Sequence, residues 1–316
     1  MDVQTQPIAG GIMQKIVANI WNTRLAEEAG NFYAAAFPGA SMEVESRYPE
    51  TGLLDFQRDF AGAALTVAVD IPDPAGNSTR IVLVNAGDEF SPNPSVSFML
   101  NYDPALFGGA DAASTALDAA WNALSVGGKV MMPLDEYPFS QRYGWVEDRY
   151  GVSWQLILTD PDGDPRPFVV PCLMFGGPVQ DKAAEALTYY TSVFEDAAPG
   201  MTAPYPEATG PAAEGALMFG EFRIGDQWFA VMDSAVEQDF SFTCGVSLEV
   251  RCADQAEIDR LWGVLSAVPE AEQCGWLADK FGLSWQIVPA NMGELMQHEG
   301  AFERMLQMKK IIIAEL

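Results

Sequence analysis

The stretch YGWVEDRYGVSWQLI (Tyr143–Ile157) returns later in the chain as CGWLADKFGLSWQIV (Cys274–Val288). Seven of the fifteen positions are identical, and others are conservative exchanges such as Arg149 with Lys280 or Tyr150 with Phe281. Two tryptophans at the same spacing in both stretches mark an internal repeat, the feature that most changes how a sequence is read. Working outward, AEEAGNFYAAAF (Ala26–Phe37) answers to AAEALTYYTSVF (Ala183–Phe194), and WNALS (Trp121–Ser125) to WGVLS (Trp262–Ser266). Both pairs carry apolar residues three and four apart, as an amphipathic helix requires. The offset between copies shrinks from 157 to 141 to 131 residues, which places extra loop in the first copy, around Asp70–Thr79 and Leu134–Ser140.

The copies divide at DPDGDPRP (Asp160–Pro167), where three prolines and a glycine break any regular element. The segment also resembles the start of a calcium loop, but Pro165 and Pro171 stand where the glycine and the terminal glutamate would be needed. The reading is two domains, residues 12–160 and 166–316. Within the first, strands are expected at Lys15–Trp21, Met42–Tyr48, Ala63–Ile71, Arg80–Asn85, Val96–Asn101, Lys129–Met132, Gly144–Asp148 and Val152–Leu158, with helices at Leu25–Phe37 and Asp111–Val126. That is two βαβββ modules per copy and four in the chain, an α+β fold. A C-terminal helix at Met292–Met308, with the apolar tail Ile311–Ile313, is expected to cross the halves or cap a sheet edge.

A chain of 316 residues is long enough for two cores of about 150 residues each, and neither needs disulfides or a structural metal. The 44 acidic and 17 basic residues give a formal charge of −27, a surface that repels phosphate backbones and anionic headgroups. Nucleic acid and membrane are therefore not expected as partners. The four cysteines lie in the second copy and never as CxxC, which argues against a zinc knuckle or redox pair. MDVQTQPIAGG has neither a basic nor an apolar leader region, and no apolar run is long enough to span a bilayer, so a cytoplasmic location is expected.

The closing segments Gly127–Ile157 and Cys274–Pro289, the helix phrase Ala26–Ala40 and the tail MLQMKK (Met305–Lys310) resemble PhnB-like proteins of the vicinal-oxygen-chelate (glyoxalase/bleomycin-resistance) superfamily. The resemblance covers both copies. It implies glyoxalase-like domains whose paired modules form two half-open barrels, each around a cavity. It also implies that two copies reproduce internally the dimer that single-copy relatives form, leaving the chain a monomer or a weak homo-oligomer. Such proteins are often labelled methyltransferases, yet no strand here leads into a GxGxxG turn of the kind that cradles a nucleotide-like cofactor.

In metal-using relatives the last ligand is a glutamate seven residues after a turn aspartate. Here Asp148 and Asp279 lead instead to Gln155 and Gln286. The first-strand positions offer only Asn19 in one copy and Cys172 in the other, and second-module positions fall near Val96 and Val246. Alternation from Val246 puts Glu249 on the face away from a cavity that Val246 faces. The single histidine, His298, lies on the C-terminal helix. Its isolation removes Ser-His-Asp and Cys-His machinery and leaves too few donors for a catalytic metal. No metal and no cofactor are expected, no catalytic residue is identified, and the cysteines read as buried apolar groups. Gln155 and Gln286 are expected at the cavity floors, Trp21 at a wall or rim, and Trp154 under the helices if Gln155 points into the cup. The leading expectation is a small-molecule-binding protein. The rival is a metal-dependent lyase, isomerase or dioxygenase of the same superfamily, and a third reading makes the second copy a largely structural partner.

Overall fold

The computed structural model describes residues 14–316. The expected N-terminal boundary at residue 12 and the stretch MDVQTQPIAGG lie outside the described residues. The first module runs β1 (Ile16–Thr23), α1 (Ala26–Ala36), β2 (Ser41–Arg47), β3 (Ala64–Pro72) and β4 (Ser78–Ala86). The second runs β5 (Val96–Tyr102), α2 (Pro104–Phe107), α3 (Ala110–Leu124), β6 (Lys129–Tyr137), β7 (Ser140–Glu147) and β8 (Ser153–Leu158). The third comprises β9 (Val169–Phe175), α4 (Ala183–Val193), β10 (Ala197–Pro204), β11 (Leu217–Ile224) and β12 (Gln227–Asp233). The fourth is shorter, with β13 (Val246–Cys252), α5 (Gln255–Leu265), β14 (Trp276–Ala278) and β15 (Ser284–Pro289).

The strands assemble across the copies. A seven-stranded sheet has the order β14-β15-β13-β1-β4-β3-β2, and an eight-stranded sheet the order β10-β11-β12-β9-β5-β8-β7-β6. The first strand of each copy therefore pairs antiparallel with the second-module strand of the other, β1 with β13 and β9 with β5. Helices, in contrast, meet within a copy: α1 packs against α3, and α4 against α5. Neither sheet closes into a barrel.

Strand alternation sorts the side chains. Ile16, Ala18 and Ile20 of β1 point into one continuous core with Tyr33 and Phe37 of the first helical segment and with Ala113, Leu117, Ala120 and Leu124 of α3. The spacing of four, three and four along α3 is the apolar stripe of an amphipathic helix. Gly30 lets α1 sit close on the sheet, since a Cβ there would lie 2.9 Å from Val67 Cγ1. The opposite, concave face of the eight-stranded sheet carries its own apolar clusters around Met99, Val170, Cys172, Ala230, Tyr143, Trp145 and Met174.

Two sequence expectations are corrected. Leu134–Ser140 is largely a β6–β7 hairpin, not loop, and irregular pairing accommodates its additional residues. The C-terminal segment is not one helix over Met292–Met308 but two short ones, α6 (Met292–Leu295) and α7 (Ala301–Leu306), because His298–Gly300 turns the chain between them with Gly300 at φ 72°. The tail does cap a sheet edge. Cys274 and Gly275 donate backbone N–H groups to Met308 (2.8 Å) and Lys309 (2.7 Å), beside the short β14, where the first copy has β6. Buried Met308, Ile311 and Leu316 seal that edge. From there Glu303 of α7 reaches Gly52 in the β2–β3 loop, so the two edges of the seven-stranded sheet are bridged.

Candidate ligand-binding cups

The repeated signature builds a buried carboxylate clamp twice. Asp148 accepts hydrogen bonds from Tyr33 Oη (2.8 Å), Trp154 Nε1 (2.8 Å), and the backbone N–H groups of Tyr150 (2.8 Å) and Val152 (3.1 Å). Asp279 accepts from Tyr190 Oη (2.8 Å), Trp285 Nε1 (2.9 Å), Phe281 N (2.8 Å) and Leu283 N (3.1 Å). Burial pushes both carboxyls up, while the four donors pull them down. Gly151 and Gly282 take φ +81° and +85° in the tight turns between, a conformation costly for any residue with a Cβ. Trp154 and Trp285 are thereby fixed in the core, and the glutamines that follow them are turned to the concave faces.

On the eight-stranded sheet, Gln155 of β8 sits beside Met99 of β5, and Cys172 of β9 is paired with Ser97. Tyr143 Oη donates to Gln155 Oε1 (2.7 Å), and Gln155 Nε2 donates to Ser97 Oγ (2.8 Å). Trp145 Nε1 donates to Ser153 Oγ (2.6 Å). Around this short polar line lie Met99, Val170, Cys172, Met174, Ala230 and Trp145, with Met131, Met132, Phe219, Trp228 and Met232 half-buried beside them. Burial pushes the Cys172 thiol up to about 12, so it is a protonated apolar group. Phe139 and Tyr137 stack at 5.7 Å on the hairpin beside Tyr143.

The seven-stranded sheet carries a different concave face. Asn19 of β1 lies opposite Ser247 of β13, and Glu249 is paired both with Val17 and with Gln286 of β15. Gln286 Nε2 donates to Ser247 Oγ (2.9 Å), and Asn19 Nδ2 donates to Glu249 Oε2 and Val17 O (both 3.3 Å). Arg251 Nε donates to Glu249 Oε1 (2.8 Å). Farther along, Arg80 clasps Asp70 with two bonds (2.8 and 2.7 Å) and reaches Glu45 (2.8 Å). Burial pushes the Glu45 carboxyl up, against the pull of Arg80 and Arg251. Trp21 Nε1 donates to Gly87 O (2.8 Å), and its ring meets Phe90 and Trp276 edge-on at 5.2 and 6.3 Å.

Each cup thus takes its first strand from one copy and its closing glutamine from the other. Asn19 and Trp21 share a cup with Gln286, and Cys172 shares one with Gln155. Val246 points into the core, so Ser247 and Glu249 face the cup, contrary to the phase expected from the sequence. Sequence reasoning also missed Ser97, Ser247 and Tyr143. The serines left a trace, each standing second in its strand at the same place in both copies (VSFMLNY and VSLEVRC). Tyr143 left none, because its counterpart is Cys274. His298 lies outside both cups, its Nδ1 3.2 Å from Leu316 O.

The divalent metal that the family resemblance implies does not fit either donor set. One cup offers a protonated thiol, a serine and an amide already bonded to Tyr143. The other offers two amides, a serine and carboxylates engaged by Arg251 (Glu249) or Arg80 (Asp70 and Glu45). Strong transition-metal centres need several imidazole, thiolate or free carboxylate donors. Among the described residues, no group of three or more His, Cys, Asp or Glu is arranged to hold a metal. No helix among them is long and apolar enough to cross a membrane.

The model of the family described as 3-demethylubiquinone-9 3-methyltransferase matches residues 14–157 and again 167–288. Among solved structures, a "putative 3-demethylubiquinone-9 3-methyltransferase, PhnB protein" from Bacillus cereus is 28% identical. The match covers 46% of this chain and 100% of that one, with a TM-score of 0.37. Glyoxalase I from Zea mays is 11% identical over 90% of this chain and 98% of its own, with a TM-score of 0.47. No curated protein matches the chain. The family match spans both copies and most of the sequence, so the chain belongs to this PhnB-like family, as two tandem copies.

Proposed function

We propose that the protein is a metal-free small-molecule-binding member of its family, with its two copies acting as an internal pair. The cup of the eight-stranded sheet takes a compact apolar or aromatic ligand carrying one polar group. The observation that carries this reading is Gln155, held by Tyr143 and Ser97 in the middle of a methionine- and aromatic-lined concave surface. Ligand sites generally combine apolar walls with a few fixed polar groups, and thioethers adapt to varied shapes. The methyl transfer in the family's description gains no support from the strand-to-helix turns, none of which carries GxGxxG.

Fluorescence titration with N-phenyl-1-naphthylamine tests the reading. Saturable binding is expected, weakened roughly two- to tenfold by Gln155→Leu, the range of one neutral hydrogen bond. Absence of saturable binding, or an affinity that ignores the substitution, refutes the assignment of this cup. Metal analysis of protein purified without chelator tests the other half. Near-stoichiometric iron, manganese, zinc or nickel would favour a lyase, isomerase or dioxygenase instead.

A further inference from the structure

The duplicated glutamines are not bonded alike. In the eight-stranded sheet the Gln155 carbonyl oxygen accepts from Tyr143, whereas the repeat places Cys274 at the matching position of the other cup. Gln286 Oε1 accordingly accepts no hydrogen bond, although Gln286 is only 9% exposed and faces the cup. Asn19, 2% exposed on the same floor, spends its amide N–H groups on Glu249 and Val17 and leaves its Oδ1 without a donor. Between them lies Glu249, whose Oε2 receives only the 3.3 Å bond from Asn19. Two amide oxygens and a carboxylate oxygen thus face one cup as acceptors that the protein leaves open to the donors of a ligand.

The charge of this cup has the matching sign. Arg80 is bound to Asp70 and Glu45 and also feels the charge of Glu43, and Arg251 is bound to Glu249, so four carboxylates meet two guanidiniums. The set is short of positive charge, which favours a cationic ligand over an anionic one. Trp276, opposite Gln286, and Trp21, two residues beyond Asn19, supply indole surface against which a cationic group is favoured.

We infer that the cup of the seven-stranded sheet binds a small organic cation with N–H donors, a primary ammonium being the simplest, through Asn19 Oδ1, Gln286 Oε1 and Glu249. This goes beyond the apolar site proposed for the other cup and rests only on the view that both concave faces are ligand surfaces. The cups then select ligands of different charge.

Titration calorimetry with benzylammonium, benzyl alcohol and benzoate tests this on the unaltered protein. Benzylammonium should bind one per chain, at least about tenfold more tightly than the alcohol, in keeping with the greater strength of charged hydrogen bonds. Benzoate should bind no better than the alcohol. The side-chain amide NMR signals of Asn19 and Gln286 should move on titration. Gln286→Leu, which breaks only the bond to Ser247, should weaken benzylammonium about tenfold while keeping the urea midpoint near that of the parent. Equal affinity for the three compounds overturns the proposal, as does an unaffected Gln286→Leu variant. Stoichiometric binding of magnesium, calcium or zinc chloride that Gln286→Leu abolishes also overturns it, because the oxygens would then serve a metal. Failure of naphthylamine to bind would remove the other cup's reading and leave these results standing.

Discussion

Replacing Tyr33 by Phe removes one hydroxyl from a core that has nothing to put in its place. Tyr33 is completely buried, and its ring lies 5.5 Å from that of Trp154. Its hydroxyl gives Asp148 Oδ2 a 2.8 Å hydrogen bond. After the substitution Oδ2 keeps only the Trp154 indole, while Oδ1 keeps two backbone donors. A hydrogen bond to a charged group contributes about 1.5–3 kcal/mol, so Tyr33→Phe should raise the unfolding constant roughly 10- to 150-fold. Tyr190→Phe should cost the same, since Asp279 repeats each bond to within 0.1 Å. The two clamps share no partner, so the double variant should show the sum within about 0.5 kcal/mol. Urea unfolding followed by tryptophan fluorescence measures this as a shift in midpoint at constant slope. Costs below about 0.5 kcal/mol for both tyrosines would refute the clamp as a source of stability.

Two further outcomes follow from burial. Cys172 and Cys252 are fully buried with thiols pushed up to about 12, whereas Cys244 and Cys274 are partly exposed. At pH 8 the buried pair is roughly one part in 10,000 thiolate, so a dithionitrobenzoate assay should count two reactive thiols in native protein and four in urea; four reacting at one rate in the native state would contradict this packing. Ile311 is fully buried against the β14 edge, so Ile311→Ala should lower stability by about 2–5 kcal/mol in the same urea assay. An unchanged midpoint would mean that the tail does not seal that edge.

The repeat made the modules legible because each copy writes the same alternation and the same helix stripe. It also fixed Trp154 and Gln155 on opposite faces, which the clamp to Asp148 enforces. Partner choice was not legible. β1 could have met either second-module strand, and the sequence pattern of β5 and β13 is apolar enough to suit both. Only three-dimensional packing, with α1 against α3 and α4 against α5, sends each first strand to the other copy. The phase of β13 failed for a different reason. VSLEVRC itself alternates apolar Val246, Leu248, Val250 and Cys252 with polar Ser247, Glu249 and Arg251. The expected phase took Val246 as the cavity-facing position, whereas the apolar set packs in the core and Arg251 meets Glu249 on the cup face.

The exchange of strands changes what duplication can do to the cups. The closing signature keeps its aspartate, glycine and tryptophan in both copies because they make the clamp, and both floors keep the glutamine that follows. The side chains that set each cup's character come from less constrained positions: Asn19 against Cys172 on the first strands, Glu249 against Met99 beside the glutamine, Cys274 against Tyr143 at its amide oxygen. Because β1 and β15 belong to one sheet and β9 and β8 to the other, a change in one copy's first strand acts beside the other copy's closing strand. The cups can therefore diverge in charge while both copies keep the same frame. Neither copy can be deleted without removing a wall from each cup, which ties two chemically different surfaces to a single folding unit.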